Sequence, residues 1–229
     1  MKRFYTDVTL DGRSVLLDGK PIRTPARAPL TLPTPALAEA VAAEWAAQDD
    51  RIDPRAMPMT GYANAAIDRV APDPADFAAP LAAYAEADLF CYRATEPPAL
   101  VERQAAAWDP WLAWARARYD VAFAVTAGIG HVPQPPATIA RLQAALSAFD
   151  PFALTALSPL VTIGGSLVAA LAVAEGAIEA GEAFAVTHLD ELWQAEQWGE
   201  DWMAADARAA READFRAAAH FLNLSRTER

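Results

Sequence analysis

"RFYTDVTLDGRSVLLDGKPIRTPARAPLTLP", residues 3–33, differs from the rest of this chain because short runs of β-prone residues alternate along it. The pair Asp-Gly occurs at Asp11-Gly12 and again at Asp18-Gly19, and Asp-Gly between alternating runs is a strong signal for a tight hairpin turn. The pattern predicts strands near 3–9, 13–17 and 20–24, and a further short one near 29–32. We therefore predict a small antiparallel β domain over residues 1–33.

The pattern changes to that of helices at Thr34. Thr34 can cap a helix whose first residue is Pro35, and apolar side chains then follow at helical spacing as far as Trp45. Further helices are predicted near 58–70, 74–87, 98–118, 135–148, 160–178 and 182–222, with an extended segment at 120–126 and a short helix from Asp150 that ends or kinks before Pro159. Strands and helices do not alternate, which disfavours a doubly wound nucleotide-binding fold. The predicted fold class is α+β, with the small β domain at 1–33 followed by a larger, mainly α-helical domain at 34–229.

The charge of the chain argues against two classes of partner. Nineteen basic residues against 30 acidic ones give a formal net charge of -11. Nucleic acids and anionic membranes both bind clustered cations, so neither a nucleic-acid partner nor stable membrane insertion is expected. The most apolar run, residues 157–180, contains Pro159, Gly164 and Gly165, and its small side chains favour a buried helix over a membrane span.

The compartment is indicated by cysteine usage and by the first residues. The single cysteine, Cys91, excludes an internal disulfide and a cysteine-based zinc site, and its apolar neighbours predict that it is buried. No apolar segment follows the first cations, as it would in a secretory signal peptide. We therefore expect a cytoplasmic protein in a reducing compartment.

Sequence motifs for nucleotide binding or nucleophilic catalysis are weak. Gly128 and Gly130 follow an apparent strand but lack the third glycine of a dinucleotide site, and Gly164-Gly165 has neither a lysine nor a preceding strand. Ser166 lies in an apolar helical pattern, and only three histidines could serve as its base. We predict no catalytic residue and no cofactor.

The segment "HLDELWQAEQWGEDW", His188–Trp202, carries the densest set of candidate functional residues. His188 and Glu191 have i,i+3 spacing and Glu196 and Glu200 have i,i+4 spacing, so a metal-dependent or small-ligand enzyme using these four residues is the alternative function. A four-helix di-metal site needs Glu-x-x-His pairs on two helices, and here the order is reversed and no second copy occurs. We predict no metal site.

Read as one continuous helix, the same segment points its tryptophans in several directions. Glu191, Trp198 and Trp202 share one azimuth, while Trp193, Glu196 and Glu200 lie roughly opposite. One explanation is a long helix packed on two sides, with scattered surface acids. The other is an aromatic and acidic face kept for a protein partner, because tryptophan is enriched at interface hot spots and these acids have no basic i,i+4 neighbours.

Seven segments of the chain, in this order, resemble the ATP synthase assembly factor family that chaperones the alpha subunit of the catalytic head, the type of mitochondrial assembly factor 2. They are GKPIRTPARAPLTLPTPALAEAVAAEWAAQ, MPMTGYANAAIDRV, ADLFCYRA, WDPWLAWA, VTAGIGHVPQP, GSLVAALAV and DELWQAEQWGED. The resemblance runs from about residue 3 to residue 222, and seven ordered segments make it specific although none is diagnostic alone.

The resemblance implies a bacterial, non-enzymatic chaperone with an N-terminal β domain and a larger helical domain. Its partner would be the unassembled alpha subunit, whose beta-facing surface it would mask until assembly. The family's important acidic residue falls in the C-terminal helix, where Glu191 is the best positional match and Glu196 the second. The expected partner-binding set is Glu191, Glu196, Trp198, Trp202, Trp193 and Glu200. Trp45 matches a family tryptophan expected to matter for folding.

Overall fold

The computed structural model describes residues 1–226 of the chain and confirms the α+β fold class. An antiparallel sheet of order β1-β2-β3 is built from β1 (Val8–Asp11), β2 (Ser14–Leu17) and β3 (Lys20–Pro21). The helices are α1 (Pro35–Ala46), α2 (Pro58–Ala65), α3 (Pro74–Ala82), α4 (Pro98–Tyr119), α5 (Pro136–Ser147), α6 (Pro151–Gly164), α7 (Leu167–Ala174), α8 (Ala180–Thr187), α9 (Leu189–Trp198) and α10 (Trp202–Leu224). Two short strands, β4 (Tyr92–Arg93) and β5 (Thr126–Ala127), pair in parallel.

The second Asp-Gly pair makes the turn that the sequence predicts. Asp18 and Gly19 both have positive φ, 48° and 76°, and they connect the paired residues Leu17 and Lys20. The Asp18 carboxylate also accepts hydrogen bonds from two backbone N–H groups, and these hold the pKa of Asp18 below its usual value. The predicted short strand near 29–32 is present only as isolated β-bridges.

The first compact unit combines residues from three parts of the chain. It contains Met1–Pro74, Phe149–Ala156 and the described residues from His220 onward. Phe221 is fully buried in this unit, and its ring lies 5.3 Å from that of Tyr62 and 6.1 Å from that of Phe152. Thr34 caps α1, as predicted, by accepting from the Leu37 N–H. The strand-rich residues 1–33 thus share a unit with helices, and a domain boundary at 33/34 stays a prediction.

The second compact unit contains Ala75–Ala148 and Leu157–Ala219. Its core includes every residue of α7, together with Trp108, whose ring stacks on Phe90 with the centroids 5.8 Å apart. Cys91 is buried, as predicted, and burial raises the pKa of its thiol to about 12. The predicted extended segment at 120–126 forms a paired strand only at its end, in β5. In the part of the chain that the structure describes, no helix has the length and apolarity needed to cross a membrane.

Of the predicted end or kink before Pro159, the end is wrong, because α6 continues through this proline to Gly164. A proline inside a helix removes one backbone hydrogen bond and costs about 3 kcal/mol. Four side chains of α6 offset that cost because they are almost completely buried: Leu154, Leu157, Leu160 and Val161. Tertiary packing therefore overrides the local preference of proline.

The single helix predicted near 160–178 is also wrong, because the chain breaks between α6 and α7. Gly165 has a φ of 65°, and Ser166 caps α7 by accepting from the Ala169 N–H at 3.0 Å. The buried Asp88 carboxylate fixes this break by accepting from the Ser166 hydroxyl at 2.8 Å and from the Val168 N–H at 3.0 Å. Its position, 78 residues from Ser166, explains why local periodicity does not reveal the break.

Asp88 is expected to make stability depend on pH. Burial raises the pKa of Asp88 from 3.8 to about 6, even though its hydrogen bonds lower it. Between the two pKa values the folded state holds a proton on Asp88 that the unfolded state has released. The resulting contribution to the free energy of unfolding is fully present below the unfolded pKa of 3.8, and it is lost as pH rises through about 6. Between about pH 4 and about pH 7, we expect the free energy of unfolding of the wild type to fall by up to about 3 kcal/mol more than that of Asp88→Asn. Urea unfolding of both proteins across that pH range measures the difference. If the unfolding free energies of the two proteins change in parallel with pH, the proposed role of Asp88 is refuted.

Candidate functional site

The segment His188–Trp202 is not one helix, because it contains α9, a turn at residues 199–201 and the first residue of α10. We call α9, this turn and α10 the helical hairpin. The single helix predicted near 182–222 is wrong, because it is divided into α8, α9 and α10. Between α9 and α10, Gly199 has a φ of 89°, which helical backbone does not allow, and the Asp201 carboxylate accepts from the Met203 N–H at 3.0 Å. The shared azimuth predicted for Glu191, Trp198 and Trp202 on one continuous helix therefore does not hold beyond Gly199. Trp198 precedes the turn and Trp202 follows it.

Three of the five acids in His188–Trp202 have cationic partners within the chain: Glu191, Glu196 and Glu200. Glu191 on α9 pairs with two arginines of α10, with Oε2 2.6 Å from Arg211 Nη2 and Oε1 3.4 Å from Arg208 Nη1. Arg208 also pairs with Glu200. The Arg208 side chain is only 13% exposed and that of Glu191 is 34% exposed, so these pairs lie partly inside the protein. They link α9 to the first half of α10.

Glu196 is paired with another helix of the same unit. Its two carboxylate oxygens lie 2.5 and 2.8 Å from the two terminal nitrogens of Arg103 on α4, a bidentate geometry. The Arg103 hydrogen bonds lower the pKa of Glu196. The same guanidinium lies over the ring of Trp193, 5.6 Å from its centroid. Trp193 is half-buried beneath this contact, and both side chains therefore hold α9 against α4.

The lack of basic i,i+4 neighbours in the sequence therefore does not leave these three acids unpaired in the folded chain. The partners lie on another helix or beyond the Gly199 turn. Arg103, Arg208 and Arg211 could not be identified from i,i+4 spacing for that reason. The spacing of Arg208 and Arg211, i,i+3 on one helix, was the available signal, since it places two cations on one face.

The most exposed apolar side chains of the hairpin lie at its turn. Trp198 at the end of α9 is 78% exposed, and Trp202 and Met203 at the start of α10 are 72% and 63% exposed. We call these three residues the tryptophan patch. Both tryptophans were predicted from the sequence as binding residues, but Met203 was not. Only its position next to Asp201 and Trp202 indicated that it could belong to the same surface. The patch adjoins the ion pairs made by Glu191 and Glu196 on α9 and by Glu200 in the turn.

The four residues of the alternative enzyme site make stacking and ion-pair contacts with other residues of the chain. His188 is buried, its ring stacks on Phe184 with the centroids 3.8 Å apart, and burial lowers the pKa of its imidazole. Glu191, Glu196 and Glu200 pair with arginines as described above. Among the residues that the structure describes, no group of three or more histidines, cysteines or carboxylates is placed to hold a metal ion.

Trp45 lies in the first unit. Its ring meets that of Tyr5 edge-on at 5.6 Å, and the Tyr5 hydroxyl donates to the Trp45 carbonyl at 2.6 Å. Its indole nitrogen is buried and has no hydrogen-bond partner in the described structure. These contacts are typical of a packing role, and the importance of Trp45 for folding stays a prediction.

The chain is similar to proteins of known structure over nearly its whole length. The family described as ATP12 chaperone protein matches residues 2–116. The crystal structure of Atp12 from Paracoccus denitrificans is 45% identical, with 98% of both chains covered and a TM-score of 0.94. An aspartate-to-lysine mutant of the same protein gives a TM-score of 0.93 at the same identity and coverage. Atu1473 from Agrobacterium tumefaciens, for which a chaperone role is suggested, is 43% identical, with 97% of this chain and 85% of that chain covered and a TM-score of 0.92.

Proposed function

This chain belongs to the ATP12 chaperone family, whose members serve ATP synthase assembly, and from that premise we propose that its client is the unassembled alpha subunit. In this proposal the chain covers the beta-facing surface of alpha and prevents aggregation until the catalytic head assembles. An orphan subunit exposes a large apolar interface, which is a liability for aggregation. We further propose that the chain is not an enzyme, that it acts without a cofactor, and that it works in the cytoplasm.

The tryptophan patch carries this proposal. Large aromatic side chains dominate the binding energy of protein interfaces, and they act best when held rigidly before binding. Trp198 and Trp202 meet both conditions, because their rings are exposed and the arginine pairs of Glu191 and Glu196 fix the helix that ends at the patch. The two tryptophans and Met203 are therefore proposed to contact the client. Glu191, Glu196, Glu200 and Trp193 are proposed to position them.

The charge of the second unit supports a client with a basic surface. Its residues include 18 acids and 8 bases, whereas the first unit is close to neutral. A field of one sign accelerates encounter with an oppositely charged partner and is weakened by salt. We therefore propose that charge guides the encounter and that the tryptophan patch supplies most of the affinity.

The proposal is tested with purified proteins. The chain should suppress light scattering by isolated alpha subunit at equimolar ratio and should elute with it as a complex in gel filtration. Isolated beta subunit and an unrelated unfolded protein serve as controls. Binding to beta or to the assembled head without binding to alpha would refute the proposed client, and equal binding to all three would indicate a general holdase.

Glu191→Gln is expected to lower both stability and client affinity by small amounts. The substitution removes a carboxylate paired with Arg208 and Arg211, and partly exposed pairs contribute up to about 1 kcal/mol each. We expect a stability loss of about 1 kcal/mol and an affinity loss of about threefold to tenfold, because α9 is less firmly held. Urea unfolding and calorimetric titration with alpha measure the two effects.

The matched control for this prediction is Glu182→Gln. Glu182 is an exposed acid of α8, in the same unit, and no hydrogen bond or ion pair of its side chain occurs in the described structure. The control makes the same change of charge and should alter neither stability nor affinity measurably. Equal effects of the two substitutions would assign the result to net charge and would contradict a positioning role for Glu191.

A further inference from the structure

One stretch of the second unit has no charged side chain of its own, in contrast to the rest of that unit. Residues 121–140 contain no aspartate, glutamate, lysine or arginine, although charged residues make up 21% of the chain. In the structure the Ile129 side chain is fully exposed between Gly128 and Gly130, and Val125 is exposed as well. We call residues 125–131 the isoleucine loop. Apart from His131, its side chains have no ionisable group, and they offer a partner apolar contact.

The isoleucine loop is tied to the fold on the side of β4. Strand β5, at its start, pairs with β4, and the Gly128 N–H donates to the Arg93 carbonyl at 2.8 Å. The Arg93 guanidinium is itself fixed, since it donates to the Phe90 carbonyl and pairs with Asp109 at 2.7 Å. The strand at the base of the loop thus rests on the buried core of the unit.

The other end of the loop is held by a second set of side-chain contacts. His131 Nδ1 lies 3.0 Å from the Tyr92 hydroxyl, and its Nε2 lies 3.3 Å from Glu86 Oε1. The Gln134 side chain is buried and bonds to both the N–H and the carbonyl of Ala124, at 3.0 and 2.8 Å. The loop is therefore held at both ends, and Ile129 projects from a supported base.

A lone exposed isoleucine is common on protein surfaces and needs no explanation. Ile129 differs because the loop that bears it is anchored on both sides and lies within a long uncharged stretch. A loop whose backbone is already anchored loses little conformational freedom on binding, so an apolar contact there yields more net affinity. From this combination we infer that Ile129 docks into an apolar, uncharged pocket on the client protein.

The charge of the second unit favours the client, and not a second copy of this chain, as the binding partner of the isoleucine loop. The second unit has a formal charge of -10 from its 18 acids and 8 bases, so two copies meeting through this loop would bring two strongly acidic units together. A client with a basic surface would be attracted to the same unit. The inference rests on the proposed function, and it adds to the tryptophan patch a second contact whose strength does not depend on ionic strength.

The test is Ile129→Ser in the full chain, with Leu10→Ser as the matched control. Leu10 is an exposed apolar residue of β1 in the first unit. Calorimetric titration with isolated alpha should show about tenfold weaker binding for Ile129→Ser, by the same factor at low and high ionic strength. Leu10→Ser should bind as the wild type does. The melting temperatures of both variants should match that of the wild type, because neither change removes a buried group.

The outcomes separate this inference from the proposed function. If the wild type does not bind alpha, the proposed client is wrong and the inference falls with it. If the wild type binds and Ile129→Ser binds equally well, only the inference is refuted. If the variant instead changes the sedimentation coefficient of the chain alone, the loop joins two copies and the client contact is refuted. A loss that vanishes at high ionic strength would also refute an apolar contact.

Discussion

Alanine at both Trp198 and Trp202 is expected to lower the affinity for isolated alpha subunit about a hundredfold or more. Each ring is more than 70% exposed, so its substitution removes little from the folded chain but most of the proposed contact area. Truncation of a hot-spot tryptophan costs about 2 kcal/mol or more, and two such losses exceed two orders of magnitude in the dissociation constant. Calorimetric titration measures this loss, and suppression of alpha aggregation should fail in parallel.

The control for this prediction is Phe4→Ala, which truncates another exposed aromatic ring, in the first unit. Both proteins should unfold within about 0.5 kcal/mol of the wild type, since surface substitutions without buried partners have small effects. A double variant that still binds alpha within twofold of the wild type would place the client surface elsewhere. A double variant that loses several kcal/mol of stability would show that the tryptophans support the fold.

The turn between β2 and β3 and the start of α1 could be predicted because their determinants are local. The hairpin turn depends on Asp18 and Gly19 themselves, whose positive φ values suit these residue types. Thr34 and Pro35 likewise act within one turn of the helix that they begin. For such features the residues that decide the structure are neighbours in the sequence, so a short stretch of sequence is enough to predict them.

The helix breaks could not be predicted because their determinants are distant. The break at Gly165 is fixed by Asp88, and α6 passes through Pro159 because its other side chains are buried. The hairpin turn at Gly199 is held by Arg208 and Glu191, which lie on either side of it. Alanine-rich helical pattern continues through these positions, so periodicity alone favours longer helices than the chain forms.

The candidate site shows the same division between local and distant causes. Sequence analysis identified the segment that carries Trp198 and Trp202, because aromatic and acidic residues are concentrated there. It could not assign opposite surroundings to Trp193 and Trp198, which are half-buried and exposed. That difference arises from Arg103 on α4, which covers one ring and leaves the other free.

Phe221→Ala is expected to destabilise the chain by about 3–5 kcal/mol, the usual cost of emptying a fully buried phenylalanine site. Its ring packs on Tyr62 and Phe152, so one substitution removes contacts among three distant parts of the sequence in the first unit. The Thr34 hydroxyl also donates to the Leu224 carbonyl, so the end of α10 is tied to the start of α1. Urea unfolding should show a lower midpoint with an unchanged m-value.

Affinity distinguishes this loss of stability from a loss of function. Phe221 lies in the first unit, whereas the tryptophan patch and the isoleucine loop lie in the second. Under conditions in which Phe221→Ala remains folded, its affinity for alpha should therefore equal that of the wild type. Phe4→Ala, with an exposed ring, should change neither quantity. A stability loss below about 1 kcal/mol would show that the site collapses around the missing ring. Weaker binding by the folded variant would mean that the client also requires the first unit, since the substitution leaves both proposed contact surfaces intact.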